Sequence, residues 1–577
     1  MRPLDLVDES SARHLDRELR AAVARASRGM SPVELGLAYM DWVAHLALSP
    51  GRQALLLQSF VNKLAGIGGY ALRSLFDAEA PAPGARLERR VSSKAWQRWP
   101  FNVLARSHQL TKDWWREATS DVDGVSAEHL VLMQAVAEQI LDMLSPANFL
   151  LSNPEVLEAT VHERGRNLLR GLRLLVRDRL RDAANTGVEE NPQFKVGENV
   201  AVTPGKVIYR NALMELIQYA PATETVAAEP VLICPPWIMK YYILDLSPGN
   251  SLVRYLTGQG KTVFMISWKN PTREDAGISL EDYLHQGLLQ ALQVVNAVCP
   301  GRRVHAVGYC IGGTLLCMAA ALLARGDDQR LGSVSLFAAQ ADFSEAGEIT
   351  RFISPSHLSF LDTLMWKQGY LGIENMGGAF SSLRASDLIY AGAVDRYLLG
   401  KVAPPSDLMA WNADGTRMPY RMHSQYLRKL YLENQLARNK LVIDGRPVAL
   451  ADISAPLFVV GTESDHVAPW RSVFKLHELT RTELTFLLTS GGHNAGIISG
   501  PSHPRRRYRV HTRQPGDKYV DPDTWLEQHA PVAGSWWPVW NAWLDARSGE
   551  AVAPPPMGAP EQGYRVLDAA PGGYVFG

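Results

Sequence analysis

Up to about residue 200, apolar positions recur at three- and four-residue steps. Leu130, Met133, Val136, Ile140 and Leu144 fall on one face of a helix that Ser145-Pro146 then ends. Leu168, Leu169, Leu172, Leu175 and Val176 mark a second helix, interleaved with Arg166, Arg170, Arg173, Arg177 and Arg181. An arginine-rich helix of this kind can touch an anionic surface, but the commoner role is the solvated face of a packed helix. Residues 1 to about 85 carry the same period and close in the linker-like run Asp77 to Gly84.

The pattern changes near residue 200. Val207-Ile208-Tyr209 and Leu213 to Ile217 read as strands. Val231 to Cys234, Val263 to Ser267, Val304 to Gly308 and Val334 to Phe337 are short continuous apolar runs, the signature of buried parallel strands. A helical stretch from Ser279 to Val298 separates two of them, and another helix follows Gly308. Strands alternating with helices predict right-handed βαβ units and a parallel sheet. The alternation stops at about 343, gives way to an aromatic- and loop-rich insertion, and resumes after about 448 at Leu457 to Val460 and Thr485 to Leu488. The insertion is expected to sit as a cap over the carboxyl edge of the sheet. The expected division is a helical, partly disordered extension over 1–90, a helical domain over 91–200 and an α/β domain over 201–577, with a Pro-rich surface segment from Val552 to Pro560.

Composition narrows the function. The 577 residues are 46% hydrophobic and 20% charged, ordinary for a chain that buries a core. Lysine plus arginine and aspartate plus glutamate both number 59, so no whole-chain field attracts nucleic acid. Four cysteines cannot build a disulfide framework and match no zinc spacing, which points to reduced thiols in the cytoplasm. The N-terminus lacks the apolar stretch of a signal peptide. The longest central apolar run, Leu315 to Ala324, has 10 residues where a membrane span needs about 20.

Gly308-Tyr309-Cys310-Ile311-Gly312 has the G-x-nucleophile-x-G form of a nucleophile elbow, with cysteine where lipases carry serine. The strained strand-to-helix turn requires small flanking residues, and it sets Cys310 at a helix N-terminus whose dipole favours a thiolate. In such folds the acid follows a late strand and the histidine the next one. Asp465 and His493 fit, separated from Cys310 by 155 and then from each other by 28 positions, with the insertion accounting for the longer gap. Glu463 competes for the acid role, but Asp465 lies further into the loop. His466 competes with His493 as base and is better placed as a loop residue, with a supporting role open to it. Cys317, two helical turns beyond Cys310, reads as a core thiol, as do Cys234 and Cys299. The oxyanion hole needs two backbone N–H groups. Ile311 supplies one, and after Pro235-Pro236 either Trp237 or Ile238 supplies the other.

The chain resembles the single-subunit polyhydroxyalkanoate synthases. The resemblance rests on Cys234 to Leu246, Ser267-Trp268-Lys269-Asn270-Pro271, Gly308 to Thr314, Trp411-Asn412-Ala413-Asp414-Gly415-Thr416, Tyr426-Leu427-Arg428, Tyr431-Leu432-Glu433-Asn434 and Gly534-Ser535-Trp536-Trp537-Pro538. Leu144 to Leu150 and Asn153-Pro154-Glu155 match the family's N-terminal domain, so the likeness spans roughly residues 90 to 577. It implies an α/β-hydrolase fold with an inserted cap and a catalytic triad of Cys310, Asp465 and His493. It also implies polymerisation of (R)-3-hydroxyacyl-CoA, most naturally the short-chain 3-hydroxybutyryl-CoA, with release of CoA and without a cofactor or metal. The partners it implies are the hydroxyacyl-CoA substrate, the growing polyester chain, the polymer granule surface and a second copy of the chain. Trp237, Ser93-Lys94-Ala95-Trp96 and Asn494 depart from the family's usual pattern, and none is a triad member. Two other readings compete: a cysteine hydrolase or thioesterase that releases free acid, and a noncatalytic granule-coat protein.

Overall fold

A computed structural model of the chain describes residues 8–27, 31–77, 87–184, 193–372, 389–402 and 404–577. The chain forms two compact units: Met1–Ala22 with Glu190–Glu374 and Pro405–Gly577, and Val23–Glu189 with Asn375–Pro404.

Helices come first along the chain: α1 (Glu9–Ala26), α2 (Pro32–Ala47), α3 (Pro50–Ser74), α4 (Phe101–Ala118), α5 (Ala127–Met143), α6 (Pro154–His162) and α7 (Arg166–Ala184). Local sequence sets their starts. The Ser31, Ser126 and Asn153 side chains accept first-turn N–H groups of α2, α5 and α6, and Pro32 and Pro154 occupy first-turn positions that need no donor. Within the helical unit, the Trp42 indole donates to the Ala118 carbonyl at 2.8 Å and the Trp114 indole to the Leu56 carbonyl at 3.0 Å. These bonds join α2 and α3 to α4. The Lys112 side chain is buried between Glu88 and Asp142, at 2.6 and 2.7 Å, so its charge is paired on both sides. Helix α7 packs through its small and polar face. Asn167 is fully buried and donates to the Leu398 carbonyl at 2.9 Å, while Asp178 pairs with Arg396 at 2.6 Å. Its arginines face solvent as expected, but Leu169, Leu172, Val176 and Leu180 are exposed with them, at 50% or more. The periodicity of this helix did not reveal that its apolar stripe points outward.

The other unit is built on one sheet: β1 (Gly205–Arg210), β2 (Met214–Tyr219), β3 (Val231–Cys234), β4 (Val263–Trp268), β5 (Val304–Tyr309), β6 (Leu331–Phe337), β7 (Leu457–Thr462), β8 (Leu484–Thr489), β9 (Arg507–Arg513), β10 (Val532–Ala533) and β11 (Asp568–Ala569). Its 11 strands lie in the order β10-β9-β8-β7-β6-β5-β3-β4-β2-β1-β11. The central run from β8 to β4 is parallel, and the strands on both flanks are antiparallel. The fully buried strands are the apolar runs seen in the sequence, now covered on both faces. This is the α/β-hydrolase arrangement, in which loops after parallel strands gather along one edge. The single helix expected from Ser279 to Val298 is instead Leu280–Asp282, a π-helical stretch Tyr283–Leu289 and Gln290–Val298. Its wide turn seats Tyr283 between Trp237 and Trp268, with ring centroids 4.6 and 5.1 Å away.

The core below the sheet is aromatic. Trp536 and Trp540 meet Phe337 edge-on at 4.9 and 5.0 Å, and the Trp540 indole donates to the Ser335 hydroxyl at 2.9 Å. Both tryptophans are fully buried at the start of the helix Trp537–Asp545. No helix among the described residues is long and apolar enough to cross a membrane.

Candidate active site

Because the central strands are parallel, the residues just past β5, β7 and β8 emerge at the same edge of the sheet. Cys310 occupies the single position between β5 and the helix α8 (Ile311–Arg325). Its backbone has φ +53° and ψ −126°, a positive-φ conformation that non-glycine residues avoid. The neighbours explain how it is held. A Cβ on Gly308 would come within 2.4 Å of the Gly313 Cα, and one on Gly312 within 2.3 Å of the Cys234 carbonyl oxygen. Only hydrogen fits at either place. Of the four cysteines, three are buried, and Cys310 alone keeps partial exposure. Burial pushes Cys317 and Cys299 up to about 12, and Cys234 higher still. At neutral pH those three are inert thiols.

Asp465 lies three residues beyond β7 with no exposed side-chain surface. Its carboxylate is fully occupied: Oδ1 accepts the Val467 and Ala468 N–H groups, both at 2.9 Å, and Oδ2 accepts Thr462 Oγ1 at 2.9 Å and His493 Nδ1 at 2.8 Å. Burial opposes its charge, yet His493 and these donors hold its pKa below the usual carboxylate range. His493 lies four residues beyond β8, its side chain 11% exposed. Burial also opposes charge on the imidazole. The Asp465 carboxylate and the hydrogen-bonded Cys310 side chain outweigh it and hold the His493 pKa well above its ordinary value. The acid and histidine loops are tied by main-chain bonds as well, Glu463 N to Thr489 O and Ser464 N to Gly491 O, both 2.9 Å.

The structure thus brings Cys310, His493 and Asp465 into one chain of contacts. The remaining candidates fall elsewhere. Glu463 is engaged by Arg507 and Arg509 at 2.7 and 3.0 Å and does not join the histidine. His466 follows Asp465, and its carbonyl accepts Glu348 N at 3.4 Å. Ile311 begins the first turn of α8. The loop after β3 presses on the elbow at Gly312, through the Cys234 and Pro235 carbonyls. Further along it, the carbonyls of Trp237 and Ile238 accept Thr416 Oγ1 and N at 2.5 and 3.3 Å, which fixes both peptide planes.

Several residues near the thiol were not singled out from sequence. Thr462 is one, through its bond to Asp465. Tyr309 is another: its ring stacks on His493 with centroids 5.5 Å apart and 26° between planes. Its hydroxyl donates to Asn494 Oδ1 at 2.5 Å and contacts the His493 carbonyl at 3.3 Å. From the insertion come Tyr426 and Tyr431, with ring centroids 5.4 Å apart and Phe343 at 4.8 Å from Tyr431. Burial, then each other and Cys310, raises the phenol pKa of Tyr426, and the same neighbours bear on Tyr431. The signal available in sequence was the position of Tyr309 inside the elbow pentapeptide and the density of tyrosines in the insertion.

Comparison with known proteins bears on this site and on most of the chain. A family model described as the poly-beta-hydroxybutyrate polymerase (PhaC) N-terminus matches residues 87–256, and one described as poly-beta-hydroxybutyrate polymerase N terminal matches 10–52. An alpha/beta hydrolase fold model matches 229–499. Poly(3-hydroxyalkanoate) polymerase subunit PhaC of Rhizobium etli is 38% identical over 505 residues, covering 86% of this chain and 78% of its own. The subunit PhaC of Rhizobium meliloti is 37% identical, covering 86% of this chain and 81% of its own. That of Cupriavidus necator is 34% identical over 550 residues, 94% of this chain and 91% of its own. With an elbow cysteine at the edge of an α/β-hydrolase sheet and relatives of this similarity along nearly its whole length, the chain belongs to the poly(3-hydroxyalkanoate) polymerase family, acyltransferases that join hydroxyalkanoate units into polyester.

Proposed function

We propose that Cys310, His493 and Asp465 are the catalytic triad of this acyltransferase and that the growing acyl chain is carried on Cys310. The observation that supports this most is the unbroken line from buried carboxylate to imidazole to the one partly exposed thiol. In the acylation step the Cys310 sulfur attacks the thioester carbonyl of a hydroxyacyl-CoA and His493 takes the thiol proton. The C–S bond to CoA breaks, and His493 returns the proton to the departing CoA sulfur. The acyl group has exchanged one thioester for another and stays activated. For elongation His493 takes the proton of a 3-hydroxyl group on the next unit or chain end, and that oxygen attacks the acyl carbonyl on Cys310. An ester forms and the thiol is regenerated. Asp465 fixes the proton on Nδ1 and balances the imidazolium charge.

The tetrahedral oxygen needs donors that are already aimed. Ile311 N–H at the start of α8 is the first, and the N–H of Trp237 or Ile238, on the loop pressed against Gly312, completes the pair. The tyrosines above Cys310 would keep water from the acyl-thioester, as chain growth requires. The single-subunit resemblance favours (R)-3-hydroxyacyl-CoA of short chain, 3-hydroxybutyryl-CoA in particular. On the same ground the working form is a cytoplasmic homodimer attached to polymer granules.

Incubating the enzyme with hydroxyacyl-CoA monomers of increasing chain length, while measuring CoA release and weighing the solid product, tests this reading. Short monomers are expected to give CoA and insoluble polyester, and Cys310→Ala neither. Free hydroxy acid in place of polymer would make the protein a thioesterase, and full activity in Cys310→Ala would remove the thiol from the mechanism.

A further inference from the structure

The residue before the proposed nucleophile and the residue after the proposed base touch each other. Tyr309 closes β5 and is buried, with 1% of its surface exposed. Its ring stacks on the His493 imidazole, with 5.5 Å between centroids and 26° between planes, which limits how far the imidazole can tilt. The hydroxyl extends beyond the ring to Asn494 Oδ1 at 2.5 Å and to the His493 carbonyl at 3.3 Å. Asn494 in turn opens the short helical turn that follows, since its carbonyl accepts Ile497 N and Ile498 N at 3.1 and 2.9 Å. One phenol therefore joins the elbow that presents Cys310 to the loop that presents His493.

The chemistry makes the two residues depend on each other. A buried hydroxyl without an acceptor is costly, and so is a side-chain carbonyl that has lost its donor. Removing the Asn494 acceptor leaves the buried hydroxyl only the longer contact to the His493 carbonyl, and removing the hydroxyl takes the donor from both oxygens, so in either case the loop shifts to recover a hydrogen bond. Removing both takes donor and acceptor away together and leaves apolar groups facing each other at that contact, which costs less than leaving one partner short. Resting on the reading of Cys310 and His493 as nucleophile and base, we infer that Tyr309 and Asn494 are a coupled pair of positioning residues that holds the imidazole in line with the thiol.

The test is the rate at which iodoacetamide alkylates Cys310 in the folded full-length chain at pH 7, followed by peptide mass spectrometry, because it reads the thiol–imidazole couple without substrate or polymer. Tyr309→Phe and Asn494→Leu are each expected to slow alkylation about fivefold or more. The double variant is expected to return to within about threefold of the parent protein, and Asn494→Asp, which keeps the acceptor oxygen, to stay within the same range. Thermal unfolding of each variant separates a shifted loop from a lost fold. Single variants as fast as the parent, or a double variant as slow as the product of the two singles, would overturn the pairing. His493→Ala supplies the control for the underlying reading: if it alkylates as fast as the parent, His493 is not the base, and the pair falls with that assignment.

Discussion

Asp465 accepts four hydrogen bonds, two from backbone and two from side chains, and shares one oxygen between Thr462 and His493. The opposite shifts of the two charged partners fix a pH window. A histidine raised by its neighbours stabilises the fold fully below its ordinary value of about 6.5 and loses that contribution as pH rises through the raised value. A lowered carboxylate contributes above its ordinary value of about 4 and loses it as pH falls. The pair therefore stabilises most between these limits. The thermal midpoint of the parent protein is expected to exceed that of His493→Gln most at about pH 5–6, and the gap to close on the alkaline side. A gap that widens with rising pH would contradict the geometry. The thiols give a second residue-scale outcome: the folded protein treated with iodoacetamide is expected to be labelled at Cys310 alone, and Cys317→Ala to keep most activity. Labelling of Cys234, Cys299 and Cys317 is expected to need denaturant, because each is buried with its pKa pushed to about 12 or beyond.

Elements decide where those residues stand. The elbow keeps its shape because α8 begins one residue after the thiol and lies hard against the loop after β3. Gly312→Ala places a methyl group 2.3 Å from the Cys234 carbonyl, a main-chain atom with nowhere to go. The expected cost is about 1–3 kcal/mol in urea unfolding, with CoA release falling more than tenfold as the elbow opens. Much of this level was legible in the chain. Buried parallel strands are apolar runs, so β3 to β8 were located, and a polar residue just past such a run must sit at the sheet edge. That logic singled out Cys310, Asp465 and His493, which the structure brings together, and preferred Asp465 to Glu463, which pairs with two arginines. What stayed hidden has no periodic signature. A π-helical turn at Tyr283–Leu289 keeps the same apolar residues as an α-helix, and its width is decided by the Trp237 and Trp268 rings. Helix α7 offered its leucines as the packing face, but Asn167 and Asp178 found specific partners and took that place. Tyr309 and Asn494 are paired only in three dimensions, 185 positions apart.

At the scale of the molecule, the chain's last hundred residues complete what its middle begins. Strands β9 and β10 extend one edge of the sheet and β11 the other. The segment between β10 and β11 carries the tryptophans that support the histidine loop from beneath: the Trp536 indole donates to the Gly496 carbonyl at 3.0 Å and that of Trp537 to Ile497 at 2.9 Å. Trp536→Ala is expected to cost about 3–5 kcal/mol in urea unfolding, and Trp536→Phe, which keeps most of the volume but loses the donor, much less. If the two variants unfold alike, the indole bond rather than the buried bulk carries the effect. Sheet contacts between residues so far apart in sequence also make this unit a slow folder relative to a helical bundle.

That support has a consequence in time. A ribosome makes the thiol at position 310 more than two hundred codons before the indoles that brace its imidazole. During translation the nascent polypeptide would therefore carry that sulfhydryl for 183 codons with no His493 imidazole at all, and for a further 43 before the first bracing indole. On the proposed triad, transfer is expected only after that stretch has emerged, so half-made protein would consume no acyl units.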